Sequence, residues 1–302
     1  MQMSNLGGIF PAVVTPIGED ENFAPAVFER LIERLYAAGI DGLYVNGQTG
    51  EGLLQPLEQR KRVAEVAVRS APKGKVTIIH VGAYRTADAV ELARHAASVG
   101  ADAIASLPPL GPFSFDEVLD YYKTLAKAAD LPVLVYYFPA VSPAVRSLEQ
   151  IEQLLAVPNV VGLKFTDYDL YKLSLLKRQH GCTVLNGHDE VLAAGLLMGA
   201  DGGIGTFYNL VPELFVALFK LAHEQRWAEA RDVQKRINEL VEIGLRFPLV
   251  PAVKTILSWQ GLHCGPAIAP RRGLTEQETR SLWKALRASS FERLLSASST
   301  AQ

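Results

Sequence analysis

The sequence predicts an α/β fold, a (β/α)8 TIM barrel with a C-terminal helical extension, on three observations. Short apolar, β-branched runs alternate with longer segments in which apolar residues recur every three or four positions, the period of a helix. Eight such runs occur, and they are apolar on both faces, as parallel strands covered by helices are. One turn between helix and strand is used three times. The predicted strands are residues 9–16, 42–47, 76–82, 103–109, 132–139, 160–166, 183–187 and 202–207.

The repeated turn reads GIDGLYV at residues 39–45, GADAIAS at 100–106 and GADGGIG at 199–205. In each, a predicted helix ends on a glycine that can adopt the left-handed C-cap conformation, and an aspartate precedes the next strand. Eight units over roughly 210 residues fit this barrel, which typically has ~250 residues. A doubly wound open sheet is the alternative, but it usually carries a G-x-G-x-x-G turn after its first strand, where VTPIGEDEN stands here.

The pattern of strands stops after residue 210, and helical segments separated by proline and glycine follow. The first of these segments completes the barrel. Because the composition does not change, residues 1–302 are predicted to form a single domain. We divide it into a barrel at 8–225 and a helical extension at 226–295.

Composition and charge restrict the class of partner. The chain has a net charge of −2, so no basic face for nucleic acid is expected. No uninterrupted apolar stretch reaches the length of about 18 residues that a membrane-spanning helix needs. The N-terminus lacks the pattern of a signal peptide. Two distant cysteines predict neither a disulfide framework nor a zinc site, and only His188-Asp189-Glu190 approaches a metal-ligand cluster. We therefore expect a cytoplasmic protein with a small-molecule substrate and no metal or cofactor.

Lys164 is the one lysine in a predicted strand, while the other eleven fall on helical faces or in polar loops. Reactive groups of such barrels lie where the strands end. A buried amine loses affinity for its proton, and a neutral amine can attack a ketone to form a Schiff base. The alternative is a lysine that ends a strand with its ammonium group in solvent.

Two other strand ends carry polar groups suited to such chemistry. The loop GQTGE at residues 47–51 joins a strand to a helix, and its glycines allow backbone N–H groups to form a nest for an anion such as a carboxylate. Tyr136 and Tyr137 must face opposite sides of their strand. One phenol at the barrel mouth could transfer protons, or both could be core aromatics.

The motifs NGQTGEG, IIHVGA, YYFPAVS, GLKFTDYDL and NGHDEVLAAGLLMGADGGIGTFYN resemble those of the pyruvate-dependent class I aldolases, the dihydrodipicolinate synthase/N-acetylneuraminate lyase family. They occur in the family's order from Gly8 to about Gly273. The resemblance implies a Schiff-base enzyme on a TIM barrel. It also implies a homotetramer.

Residue by residue, the resemblance implies that Lys164 forms the Schiff base and that Tyr136, first in the Y-x-x-P motif, transfers protons. It implies that Thr49 and the backbone of Gln48 hold the pyruvate carboxylate, and that Thr166 lines the site.

The second half of the site is most similar to the lyase branch. Synthases have an arginine for a second substrate carboxylate, and Val141 stands in that region here. The lyase-like residues are Gly187, Asp189, Glu190 and Thr206, and carboxylates suit the O–H donors of a polyol chain. The implied activity is cleavage of a 2-keto-3-deoxy sugar acid, such as N-acetylneuraminate, to pyruvate and an aldehyde. A sugar acid dehydratase, another pyruvate aldolase, a synthase and a non-catalytic keto-acid-binding regulator are the alternatives.

Two positions depart from the family pattern. Gln48 stands where a serine or threonine commonly joins the proton relay. The loop at residues 108–112, PPLGP, lacks the tyrosine that relatives commonly insert into the neighbouring subunit's site. We expect the proton path to differ at both.

Overall fold

The computed structural model describes residues 6–295, which contain eight parallel strands alternating with helices. The predicted TIM barrel is confirmed. Each strand is shorter than its apolar run, because the last residues of the run form the loop at the barrel mouth. The strands are Gly8–Pro11 (β1), Gly42–Val45 (β2), Val76–His80 (β3), Ala103–Ser106 (β4), Val133–Tyr137 (β5), Val160–Phe165 (β6), Thr183–Asn186 (β7) and Gly202–Gly205 (β8).

Eight of the α-helices follow the strands and three more make up the C-terminal part. None of the helices in residues 6–295 is long and apolar enough to cross a bilayer. The helices are Pro25–Ala37 (α1), Leu57–Ser70 (α2), Thr86–Ser98 (α3), Phe115–Ala128 (α4), Leu148–Leu155 (α5), Leu170–His180 (α6), Leu192–Leu197 (α7), Pro212–His223 (α8), Trp227–Gly244 (α9), Leu249–Trp259 (α10) and Glu276–Arg287 (α11).

The strands pair in the order β1-β8-β7-β6-β5-β4-β3-β2, and β1 then meets β2. A parallel bridge joins Ala12 to Tyr44, and the Val13 N–H donates to the Tyr44 carbonyl at 3.0 Å. This contact closes the barrel and brings all eight carboxyl ends to one rim. The boundary at residue 225 lies between α8 and α9, and the division of the chain there stays a prediction.

The repeated turns have a shared structural role. Their glycines, Gly39, Gly100 and Gly199, have φ between 88 and 103°, a region that favours glycine. Each aspartate accepts a hydrogen bond from the second N–H of the preceding strand, so one carboxylate ties neighbouring strands together. These bonds are Ile9 N–H to Asp41 at 2.9 Å, Thr77 N–H to Asp102 at 2.8 Å and Val184 N–H to Asp201 at 2.7 Å.

One predicted helix is divided. The pattern at 190–200 predicts a continuous helix, but a short 3-10 turn at Asp189–Val191 precedes α7. The Asp189 carbonyl accepts a hydrogen bond from the Gln234 side chain of α9 at 3.0 Å, and the Asp189 carboxylate binds the Phe207 N–H at 2.7 Å. These tertiary bonds hold the turn toward the barrel mouth.

A register shift between β5 and β6 determines which side chains face the barrel interior. Val133 pairs with Val160, but the next residue, Leu134, pairs with Gly162, so Val161 is skipped. Because strand faces alternate, an extra residue reverses the orientation of everything after it. The shift places Lys164 beside Tyr136 on the inner face, where uninterrupted alternation from Val160 would have turned it outward.

A buried ion pair joins the barrel to the C-terminal helices. Glu51 follows β2 and has φ 55°, and its carboxylate lies 2.7 Å from the Lys254 ammonium of α10. The second carboxylate oxygen accepts the Ile268 N–H at 2.9 Å, and Lys254 also donates to the Pro266 carbonyl at 2.8 Å. Both charged groups are almost completely buried, so their pairing is required to offset the desolvation of each.

We expect Lys254→Met to lower the free energy of unfolding by about 3–5 kcal/mol, because it leaves Glu51 buried with a large part of its charge uncompensated. Urea denaturation measures the change. Lys235→Met is the matched control: it removes an exposed pair with Asp232 and should cost less than about 1 kcal/mol. Equal losses in the two variants would contradict a structural role for the buried pair.

Candidate active site

A cavity of about 320 Å³ opens at the carboxyl ends of the strands. It brings together every residue that the sequence places in the site, although the geometry alone leaves their roles as predictions. These residues are Gln48, Thr49, Tyr136, Lys164, Thr166, Gly187, Asp189, Glu190 and Thr206.

Lys164 occupies the closed part of this cavity and is 4% exposed. Its Nζ lies 4.1 Å from the ring centroid of Tyr136 and 4.5 Å from that of Tyr44. Burial lowers the pKa of Lys164 to about 7, although Asp189 opposes the shift electrostatically. The amine is therefore not in solvent, and a large fraction of it is neutral near pH 7.

Tyr136 is the register partner of Lys164 on β5. Its ring packs edge-on against Tyr44 and stacks with Phe138, and burial raises the pKa of its phenol well above the ordinary value. Thr166 partly opposes that rise, although its buried hydroxyl makes no hydrogen bond of standard geometry. Tyr137, by contrast, packs in the outer core between strands and helices, so the predicted alternation is confirmed.

The loop after β2 is held in one conformation next to the lysine. The Gly50 carbonyl accepts hydrogen bonds from the Thr15 hydroxyl at 2.8 Å and from the Gln55 side chain at 2.7 Å. Across the cavity floor, the hydroxyls of Thr49 and Thr206 lie 2.7 Å apart. A fixed loop with an inward hydroxyl is suited to holding a small anion close to Lys164.

Two carboxyl groups follow β7 and differ in charge. Asp189 is buried, and burial raises its pKa to about 7, although the bond from the Phe207 N–H opposes the rise. Burial also acts to raise the pKa of Glu190, but hydrogen bonds from His188 and Tyr168 outweigh it and lower that pKa to about 2. The rings of His188 and Tyr168 stack with centroids 4.1 Å apart. The cavity wall thus offers one ionised and one partly protonated carboxyl group.

The model of the dihydrodipicolinate synthetase family matches residues 5–289. The chain belongs to this family. It is 38% identical to an N-acetylneuraminate lyase of Rhizobium meliloti (strain 1021) over 285 residues, which are 93% of this chain and 94% of that protein.

Solved structures agree with this assignment. A sialic acid aldolase of Ruminococcus gnavus, solved as a catalytic lysine mutant, superposes with a TM-score of 0.90 at 27% identity, covering 95% of this chain and 96% of that one. A dihydrodipicolinate synthase superposes with a TM-score of 0.88 at 26% identity, covering 93% and 98%. The fold therefore does not separate the branches of the family. The named relatives support a carbon–carbon lyase, as the sequence predicts.

Several residues that line this cavity or contact Lys164 are not among the catalytic or substrate-binding residues predicted from the sequence. Tyr44 lies directly against the Lys164 amine, and its position two residues before the NGQTGEG loop gave a usable signal. Phe138, Tyr168 and His188 line the cavity from segments next to predicted site residues. Arg271 had no such signal, because it comes from the loop between α10 and α11 and reaches the barrel mouth only in the tertiary structure.

The two departures from the family pattern occupy different places. Gln48 lines the cavity. Residues 107–110 instead face a separate small pocket beside Leu53 and residues 82–84. An altered proton path at these positions stays a prediction. In residues 6–295, His, Cys, Asp and Glu side chains form no group of three that could hold a metal ion.

We expect the rate at which pyruvate forms an imine with the protein to rise with pH through about 7 and then level off. The reason is that a lysine must be neutral to attack a ketone, and the pKa of Lys164, the predicted nucleophile, is about 7. Borohydride trapping at a series of pH values measures the rate.

Asp189→Asn should move the midpoint of this profile to lower pH, because it removes the carboxylate that favours protonated Lys164. Asp232→Asn, an exposed acid of α9, is the control and should leave the midpoint unchanged. A midpoint near the ordinary lysine pKa of about 10 would contradict the desolvated environment described here.

Proposed function

We propose that this protein cleaves a 2-keto-3-deoxy sugar acid, N-acetylneuraminate or a close relative, to pyruvate and an aldehyde through a Schiff base on Lys164. The observation that carries the proposal is the buried amine of Lys164, with its lowered pKa, beside the phenol of Tyr136. The lyase and the aldolase named above support the choice of substrate class.

In the first step, the neutral Nζ of Lys164 attacks the ketone carbon at C2, and loss of water gives an iminium ion. Thr49 and the backbone of Gln48 would hold the C1 carboxylate, which orients the ketone toward the amine. The Thr206 hydroxyl lies 2.7 Å from the Thr49 hydroxyl and holds it in position.

In the second step, the bond between C3 and C4 breaks. Its electrons move onto C3 and into the iminium to give an enamine, and the C4 hydroxyl loses its proton as the aldehyde forms. Tyr136 is the group proposed to accept that proton, as a phenolate formed when its phenol gives a proton to the hydroxyl that leaves as water in the first step. Burial disfavours its phenolate in the free protein, but a positive iminium close to the ring offsets this cost electrostatically. Protonation of the enamine and hydrolysis of the imine then release pyruvate.

The remaining hydroxyls of the sugar acid would meet the β7 loop. Glu190 is ionised and accepts O–H donors, while the partly protonated Asp189 can donate or accept. Glycine at position 187 lets the Thr166 hydroxyl approach the backbone of this loop closely, because a Cβ there would lie 1.9 Å from that oxygen.

Borohydride reduction in the presence of pyruvate should leave a stable mass adduct on Lys164, and Lys164→Ala should carry none. Lys123→Ala, which alters an exposed lysine of α4, is the control and should keep the adduct. An adduct-free native protein, or normal turnover by Lys164→Ala, would overturn the proposal.

Tyr136→Phe should keep the pyruvate adduct but lose roughly 10²–10⁴-fold in kcat, the scale of general acid–base catalysis. Trapping and steady-state kinetics on the same preparation separate the two effects. An unchanged kcat would remove Tyr136 from the proton path.

A dehydratase is the second candidate, and the state of Asp189 favours it. A buried carboxyl with a pKa near 7 can give a proton to a leaving hydroxyl. After the imine forms, C3 would lose a proton and C4 would lose its hydroxyl as water, leaving the carbon chain intact. Parallel assays for pyruvate release and for an unsaturated keto acid distinguish the two outcomes.

The homotetramer and the cytoplasmic location expected from the sequence also remain proposals. Light scattering of the purified protein tests the first and cell fractionation the second.

A further inference from the structure

Arg271 contributes a positive charge to the cavity that the proposed chemistry does not use. It lies in the loop between α10 and α11, and its side chain lines the same cavity as Lys164 and Thr49. The side chain is 35% exposed, whereas Lys164 is 4% exposed. Arg271 therefore stands at the open end of the cavity and Lys164 at the closed end.

The charge of Arg271 is only weakly compensated. Its Nε lies 3.8 Å from a Glu51 carboxylate oxygen, which is longer than a hydrogen bond. That carboxylate is already paired with the Lys254 ammonium at 2.7 Å and with the Ile268 N–H at 2.9 Å. Two cations thus share one carboxylate, and Lys254 holds the shorter contact. A guanidinium left in this state can bind a further anion.

The loop that carries Arg271 is fixed in place. The Arg271 N–H donates to the Ile268 carbonyl at 3.0 Å, and Ile268 and Pro266 are themselves bonded to the Glu51–Lys254 pair. The backbone that carries Arg271 is therefore held by the same buried ion pair that follows the Thr49 loop. The fold thus sets the position from which the Arg271 side chain extends into the cavity.

We infer that Arg271 is a specificity-determining residue that favours substrates with an anionic group, a carboxylate or a phosphate, at the end distant from the ketone. This inference rests on the proposed function and deepens it. The C1 carboxylate must lie near Thr49, within reach of the Lys164 amine. A substrate that extends from there toward solvent brings its far end to the open side of the cavity, where Arg271 stands.

The test compares three 2-keto-3-deoxy acids of equal chain length that end in a hydroxymethyl group, a carboxylate or a phosphate ester. In the native protein, we expect kcat/KM for at least one anionic substrate to exceed that for the hydroxymethyl substrate by about tenfold or more, the scale of a charge-assisted hydrogen bond. Arg271→Gln should abolish this preference mainly through KM, and Arg271→Lys should retain part of it.

Arg272→Gln is the matched control. The neighbouring side chain is 59% exposed and binds Glu278 at 2.7 and 2.8 Å, away from the cavity. The Arg272→Gln variant should show the same substrate preference as the native protein. Whichever anion is favoured identifies the group that Arg271 binds.

Two results would overturn the inference: no preference in the native protein, or an equal loss on all three substrates in Arg271→Gln, which would place Arg271 at the shared C1 end. Borohydride trapping with pyruvate distinguishes a failure of this inference from a failure of the proposed function. If the native protein forms no adduct at Lys164, the proposed function has failed. If the adduct forms but the anion preference is absent, only the role of Arg271 has failed.

Discussion

The desolvation of one amine is the constraint on which the site depends. Lys164 is placed among the inner side chains of the barrel, between the rings of Tyr44 and Tyr136. Ring faces attract an ammonium ion by roughly 0.5–2 kcal/mol, but the loss of hydration is larger, and the pKa falls to about 7. A buried lysine is costly for the fold, and the same cost makes its neutral form available for attack on a ketone.

The register shift in β6 is what turns this lysine toward the interior. It pairs Lys164 with Tyr136, so the proposed nucleophile and the proposed proton acceptor sit on neighbouring strands of a rigid barrel rather than on loops. Strand pairs hold such groups more precisely than loops do. The asymmetry of Asp189 and Glu190 arises separately, in the segment after β7: Asp189 is buried in the 3-10 turn, while His188 and Tyr168 keep Glu190 ionised.

The Glu51–Lys254 pair connects the second part of the fold to this chemistry. Glu51 ends the Thr49 loop, and its carboxylate contacts Lys254 of α10 and the loop that leads to Arg271. The C-terminal helices therefore do more than cover the barrel, because they bring a cation to its mouth. The motif resemblance accounts for the proposed role of Lys164. The proposed choice of substrate depends instead on groups such as Arg271 that lie outside the shared motifs.

The sequence by itself determined the barrel, its eight strands and the set of rim residues, since apolar periodicity, glycine-ended helices and strand-end polar groups are local signals. The motif resemblance added the roles expected of Lys164, Tyr136 and Thr49. Only the tertiary structure decided which way Lys164 faces, because a one-residue shift in pairing reverses a strand's faces and leaves no mark in composition. The tertiary structure also decided the charge states of Asp189 and Glu190 and brought Arg271 to the cavity. Burial, and contacts between residues about 200 positions apart in the chain, are properties of the packed molecule.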